Sequence, residues 1–390
     1  MIPPEIKIMK THFFASPVAG LRITAAAVLV CASAGAQAFD DKWSGFGSLV
    51  AGQTFGACTE GELASAFNDN CTRYIADWSH AGIYDDKASI RPESRVGLQW
   101  TGNFTDSLSA TAQGVARLGP GQKADLEWAY LTDKISSSWT VQVGRKRLPL
   151  YYYSDFQDVG YAYSMIRPSP DVYGWDVVNY DGANVDYSTD IGDWSLRATG
   201  YAGGEDSRKN KYSLVFSDQA QELKWKDIVG SSLELSNDWL TLRASYTQSG
   251  FQQIDPATGA PQQLASGAYT GHQKFYGVAA NVDWQDWQVR SELAATNRHD
   301  QGYKATFGYV DVGRRIGQFM PTVGYSVYRE QSTVGADYVP EYNRTVSAAL
   351  RYEVTKSSDL KLQFDHDLDH SAVIVTGDAK VVSIAYDFVF

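Results

Sequence analysis

The chain has 390 residues, with 34 Lys and Arg against 45 Asp and Glu and a formal net charge of −11. That acidic balance argues against a nucleic-acid partner. The 24 Tyr, 16 Phe, 11 Trp and 34 Gly, beside only three Cys, are unusual for a soluble enzyme and suit a long all-β chain.

Residues 1–38 read as an export signal removed from the mature chain. Lys7, Lys10 and Arg22 precede an apolar run from Ile23 to about Ala36, and Ala36-Gln37-Ala38 supplies a small-x-small cleavage site. Cys31 follows Val30, where a lipoprotein signal wants a small residue. Residues 39–390 then form one domain. No later apolar run has the length of a spanning helix, so a membrane form of this chain must be a closed barrel. Cys58 and Cys71 remain in an oxidising compartment and are expected to form a disulfide, since two thiols alone make a poor metal site.

From Trp43 onward the pattern alternates with period two, the signature of strands. Val96, Leu98 and Trp100 alternate with Arg95, Gln99 and Thr101, and Val346, Ala348 and Leu350 alternate with Ser347, Ala349 and Arg351. Very short links recur at Thr105-Asp106, 136–138, 190–193, Asn237-Asp238, Gln285-Asp286 and 357–359. Between them lie long polar links at 51–93, 149–180, 203–226, 249–272 and 331–343, with shorter ones near Pro120 and Asp300. The links predict 16 strands, near 42–51, 94–104, 107–119, 124–135, 139–148, 181–190, 193–203, 227–236, 239–249, 273–284, 287–298, 304–315, 318–330, 344–356, 359–369 and 380–390. A count of 14 or 18 fits if 227–236 or the pair around Gly317 is read differently. Tight turns on one side and long loops on the other are the rhythm of a transmembrane up-and-down barrel. Trp194, Trp239 and Trp287 each follow an Asp at a short turn, where a headgroup-depth girdle would place them.

The last strand carries the most specific signal. Counting back by twos from the terminus gives Phe390, Phe388, Tyr386, Ile384 and Val382. This resembles the C-terminal assembly signal of Gram-negative outer-membrane barrels, and length, strand rhythm and termini together resemble the porin family over essentially the whole mature chain. The resemblance implies a 16-stranded trimeric barrel in the outer membrane, in contact with its lipid and lipopolysaccharide and inserted by the barrel-assembly machinery. It implies passage of small hydrophilic solutes through a lumen narrowed by an inward-folded loop. Residues 149–178 are the expected constriction loop, because a solvated loop has little use for Tyr151, Tyr152, Tyr153, Tyr173 and Trp175, and Pro168 and Pro170 would stiffen it. A loop tucked into a trimer contact is the competing reading.

If the apolar parity faces lipid, then Arg95, Arg117, Lys146, Arg197, Arg243, Arg290, Arg351 and Lys361 face the lumen. Glu127, Glu234, Glu292, Glu353 and Asp365 join them. Basic groups outnumber acidic ones on that wall, so the acidic excess is expected mainly in loops and turns. Arginines facing Asp155, Asp158 and Asp171 of the loop, which also carries Arg167, would set up a transverse field, and the wall would favour anionic or zwitterionic solutes. Any single Arg has an equally good structural role, such as Arg290 pairing with Glu292. Arg145, Lys146 and Arg147 form either a carboxylate-binding step or a contact to lipopolysaccharide, Arg145 and Arg147 having lipid-side parity.

Enzyme motifs are missing from the sequence: no Gly-x-Ser-x-Gly elbow or His-Glu-x-x-His pair occurs, and nothing points to a cofactor. The cluster Asp365-His366-Asp367-Leu368-Asp369-His370 has metal-binding residue types, but alternate strand residues face opposite sides and a solvated rim explains it better. A plugged structural or adhesive barrel is the alternative to a pore, and a barrel hydrolase a more remote one.

Overall fold

The structure is a computed structural model and describes residues 40–56, 73–119, 124–215, 220–371 and 377–390. The expected signal at 1–38, Cys58 and Cys71 lie outside the described residues. Sixteen antiparallel strands close into a barrel. They are β1 (Asp40–Phe55), β4 (Arg95–Asn103), β5 (Leu108–Arg117), β6 (Ala124–Lys134), β7 (Trp139–Arg147), β8 (Asn179–Ile191), β9 (Trp194–Asn210) and β10 (Gln221–Ser236). The second half comprises β11 (Leu240–Ile254), β12 (Gly271–Trp284), β13 (Trp287–Arg298), β14 (Tyr303–Arg314), β15 (Phe319–Ser332), β16 (Tyr342–Thr355), β17 (Ser358–Asp369) and β18 (Ala379–Val389). A small hairpin, β2 (Tyr74–Asp77) and β3 (Gly82–Tyr84), forms a second sheet inside the first long link.

Each strand pairs with its sequence neighbour, and β1 closes the ring against β18 and β4, with Phe46 opposite Val389 and Trp43 opposite Trp100. All sixteen expected segments are strands. Several run further than expected: β9 continues to Asn210 through a stretch polar on both faces, and β10 starts at Gln221, where Leu223 and Trp225 turn inward between polar residues. Backbone pairing needs no apolar face once the ladder is established, so the pattern fades before the hydrogen bonds do.

One parity faces outward with Leu49, Leu98, Val143, Leu233, Val278, Leu293, Val323 and Ile384 exposed. Trp43, Trp139, Trp239, Trp284 and Trp287 are exposed at the short-turn end, where an aromatic girdle belongs. The tight turns there use positive φ at Gly192 and Gly317. The rings of Tyr386, Phe388 and Phe390 form a row along the outside, with successive centroids 5.9 and 6.3 Å apart. That row needs glycine beneath it, because a Cβ on Gly47 would lie 2.5 Å from the Phe388 ring and one on Gly45 2.3 Å from Phe390.

Candidate functional site

Residues 149–178 leave β7 and turn into the barrel, as expected. Two short 3-10 turns, at Ser154–Phe156 and Gly160–Ala162, and one helical turn, α1 (Pro170–Tyr173), give the segment its shape. Tyr151, Tyr153, Tyr163, Tyr173 and Trp175 bury themselves against Trp225, Phe251, Phe275, Phe307 and Tyr309 of the lumen wall, in one apolar cluster. Rings meet edge to face at Tyr151–Phe275 (5.2 Å) and Trp175–Phe275 (5.4 Å). Aromatic burial of this kind holds the loop against the wall, and the hydroxyls of Tyr163 and Tyr173 are satisfied by the Phe156 carbonyl and Glu292.

Charge holds the other edge. Asp158 receives both 2.8 Å bonds from Arg117 Nη2, a further bond from Arg147 Nη2, and an ion-pair contact from Arg95 Nε at 3.8 Å. Arg95 also donates to the Asp158 carbonyl at 2.7 Å. Glu127 completes the set, 2.8 Å from Arg117 and 3.1 Å from Arg147. Burial would raise the Asp158 carboxyl, but Arg117, Arg147 and Arg95 together hold it well below the ordinary carboxylate range. Farther along, Arg167 is 3 % exposed and clamped by Glu93, Asp365 and Ser383, all at 2.6–2.7 Å. Lys361, 1 % exposed, donates to the Gly160 carbonyl at 2.6 Å and pairs with Asp387 at 3.0 Å. The loop passes so close that a Cβ on Gly160 would sit 2.2 Å from Asp387 Oδ1.

Each of the eight basic residues expected on the lumen wall is occupied. Arg197 meets Asp186, Arg290 meets Asp283, and Arg351 meets Asp359 and the Tyr163 carbonyl. Arg243 contacts Glu234 and donates to the Pro149 carbonyl, and Lys146 bonds Gln142 and Asn184. The suggested Arg290–Glu292 pair is replaced. Glu292 instead receives the Tyr152 amide and the hydroxyls of Tyr173 and Tyr309, making it a loop anchor. The expected basic excess is corrected too, because Asp186, Asp359, Asp367 and Asp387 are buried on the inward parity beside the expected Asp365. Arg147 does not face lipid: the strand ends there and its guanidinium turns in to Asp158 and Glu127, whereas Arg145 reaches Glu205 at 2.7 Å. Of the loop acids, Asp155 is exposed beside Lys146 and Arg197, and Asp171 faces no arginine but accepts from Ser326 at 2.5 Å.

The Asp/His run divides as alternation dictates, but its inward acids are not a solvated rim, since Asp365 and Asp367 are buried. Asp365 goes inward to Arg167 and Ser347, and Asp367 inward to Thr345. Among the described residues, His80, Asp125 and Glu127 do bring ligand atoms within 4.8 Å of one another. Arg117 and Lys211 already neutralise those carboxylates, at 2.8 Å for Glu127 and 3.1 Å for Asp125.

A closed, 16-stranded antiparallel barrel with an outward aromatic row and a loop folded into a polar lumen is the fold of the outer-membrane porins. OmpF of Salmonella typhi, solved with daunomycin, is similar with a TM-score of 0.59 at 14% identity, over 89% of this chain and 97% of that one. The outer-membrane channel DcaP of Acinetobacter baumannii gives 0.57 at 13% identity, over 90% and 97%. An anion-selective porin from Comamonas acidovorans gives 0.56 at 11% identity, over 90% and 100%. No protein-family model matches the chain, and no curated protein is similar to it in sequence.

Proposed function

We propose that the protein is an outer-membrane porin, exported with its signal removed, through which small hydrophilic solutes diffuse past residues 149–178. The observation that carries this reading is the loop itself. A 30-residue segment is pinned inside the barrel by buried ion pairs at Asp158 and Arg167 and by aromatic packing, which is a costly way to hold a loop unless it narrows a passage. On the short-turn side of the loop, Lys146, Arg197 and Arg243 face Asp155, Asp186 and Glu234 across a small cleft. Opposed charges there favour zwitterionic solutes and, through the half-exposed Arg197, anionic ones. The role is passive transport, without catalysis. A homotrimer, seen in a solved form of OmpT of Vibrio cholerae that has a TM-score of 0.53, and a Cys58–Cys71 disulfide belong to the same proposal.

Single-channel conductance and reversal potential in planar bilayers test it, with Arg197→Ala and Arg243→Ala beside the wild type. Discrete steps whose weak anion preference falls in the variants support the reading. Strong cation selectivity overturns the charge assignment. The loop also touches the wall at β1, β11, β13, β15, β17 and β18, which favours a plugged barrel as the second reading. Correctly folded protein with no conductance would establish that one.

A further inference from the structure

At the long-link end of β14 to β18 the outward parity changes from apolar to basic. Lys304, Arg329, Arg344, His366 and Lys380 stand there, one on each strand. The register joins them into an unbroken file. Lys304 lies opposite Gln331, two residues beyond Arg329, and Arg329 lies opposite Tyr342, two residues before Arg344. Arg344 lies opposite Leu368, two residues beyond His366, and His366 lies directly opposite Lys380. At roughly 4.8 Å per strand the file spans about 20 Å of the circumference. Arg329, Arg344, His366 and Lys380 are each two residues, or about 7 Å, past Val327, Val346, Phe364 and Val382, the last three of which are exposed on the apolar band. Lys380 precedes Phe390 by ten residues. That is about 34 Å of strand and, at a tilt of about 40°, about 26 Å of height, which is the thickness of a barrel's apolar band. The file therefore lies at headgroup depth, across the band from Phe390.

No Asp or Glu occupies the outward parity of these five strands. Lys304, Arg329 and Lys380 are exposed, and among the described residues none of them, nor Arg344, makes an ion pair. Arg344 donates to the Tyr342 hydroxyl, and the Tyr342 ring gathers both arginines, 4.8 Å from Arg344 and 5.3 Å from Arg329. Outward cations on the other side of the barrel are already neutralised at this end. Arg145 of β7 meets Glu205 at 2.7 Å, and Lys224 of β10 meets Glu222 at 2.7 Å. An unmatched basic file is therefore a local feature in a chain whose net charge is −11. Arg329 and Arg344 form a diagonal pair about 7 Å apart at the backbone, so they repel unless an anion lies between them. Guanidinium groups bind phosphate through paired donors, and cations at headgroup depth attract anionic lipid.

We infer that the long-link rim of β14 to β18 is a binding site for phosphate-bearing lipid, with the headgroup phosphate on Arg329 and Arg344, Lys304 and Lys380 to either side, and the acyl chains on the apolar band. The site needs a barrel in a bilayer but not a conducting one, so a plugged barrel would carry it equally. The folded protein in a neutral detergent is titrated with dioleoyl phosphatidic acid and, separately, with dioleoyl phosphatidylcholine, and bound lipids are counted by native mass spectrometry. Expected is saturable retention of phosphatidic acid, with phosphatidylcholine at least tenfold weaker. Arg329→Gln and Arg344→Gln should each weaken retention about fivefold, the scale of one cation at a lipid surface, while Arg145→Gln leaves it unchanged. Heat-modifiable gel mobility verifies folding, and Lys380→Gln serves in place of an arginine variant that fails to fold. Equal retention of the two lipids, retention unchanged in both arginine variants, or an equal loss in Arg145→Gln each overturns the inference. Displacement of the lipid by inorganic phosphate would mark a plain anion site, and lipid bound by monomer but excluded from an oligomer would mark a contact between copies of this chain; either result also overturns it.

Discussion

Replacing Asp158 by Asn asks whether charge or apolar packing holds the loop in the lumen. The amide keeps the shape but removes the negative charge on which Arg95, Arg117 and Arg147 converge, leaving Glu127 to Arg117 and Arg147. Deleting one partner of a buried ion pair costs about 3–5 kcal/mol. On the other side of the balance, each of Tyr151, Tyr153, Tyr163, Tyr173 and Trp175 gains about 1.5–3 kcal/mol from burial. The Arg167 clamp to Glu93 and Asp365 is untouched. The aromatic sum exceeds the charge lost, so the variant should free the tip near Asp158 to Gly160 without expelling the loop. In single-channel recordings this predicts a modest rise in conductance with clearly noisier open states. Protease sensitivity should appear near Gln157 and Tyr161. Unchanged conductance, unchanged noise and unchanged cleavage in a folded barrel would refute the assignment of Asp158 as an anchor. A conductance step as large as that of a barrel lacking 149–178 would refute the energetic ranking instead.

Three further outcomes follow from the same geometry. Gly160→Val puts a side chain within 2.2 Å of Asp387 Oδ1 and 2.5 Å of Ser48 Oγ, so the loop must move from β1 and β18 and conductance should change more than in Asp158→Asn. Gly47→Leu should slow barrel assembly in a heat-modifiability time course yet leave conductance alone, since its clash is with the outward Phe388 ring. In the β2–β3 hairpin, burial alone would raise the Asp77 carboxyl, but the charge and hydrogen bond of His80 at 2.8 Å outweigh it and hold the carboxyl down to about 2. A depressed carboxyl stabilises above its ordinary range, and that contribution is lost as the pH falls through about 2, so pepsin should cut the hairpin only at the acid end. His80→Gln should move the onset of cutting to higher pH, and an unmoved onset would dismiss the pair.

The barrel was legible because one physical rule, alternation across a wall with different solvents on its two faces, acts on every strand. The lumen was legible by the same rule where it was applied to each residue. Asp387 sits between Tyr386 and Phe388, and its inward position follows from theirs; Asp359 and Asp365 follow from Leu360 and Phe364 in the same way. Leaving Asp186, Asp359, Asp367 and Asp387 out of the count made the wall look basic. Arg147 escaped because alternation ends with the strand: past the last ladder bond a long side chain goes where its counter-charge lies. The partner itself was not legible, since the separation of Asp158 from Arg117 along the chain says nothing of distance once a loop folds back into a barrel.

The same reasoning says where function is written in this fold. Basic residues beneath the loop are consumed in fixing it, and Lys361 and Arg117 act as struts, almost without exposure to solvent. Charge that a passing solute can meet survives where the loop leaves the wall, at Lys146, Arg197 and Arg243 on one side. On the other side the lining combines rings and amides with the Arg298–Asp176 pair and the carboxyls of Asp171, Glu330 and Glu341. The two sides of the loop therefore carry different chemistries: an aromatic lining with several carboxyls on the long-link side and an opposed-charge cleft on the short-turn side. Exchanging charge in the cleft by Arg197→Glu should alter ion selectivity, while Tyr338→Ala on the other side should leave it unchanged. A selectivity that moves in both variants would mean that the loop couples the two sides, and the description of two independent linings would fall.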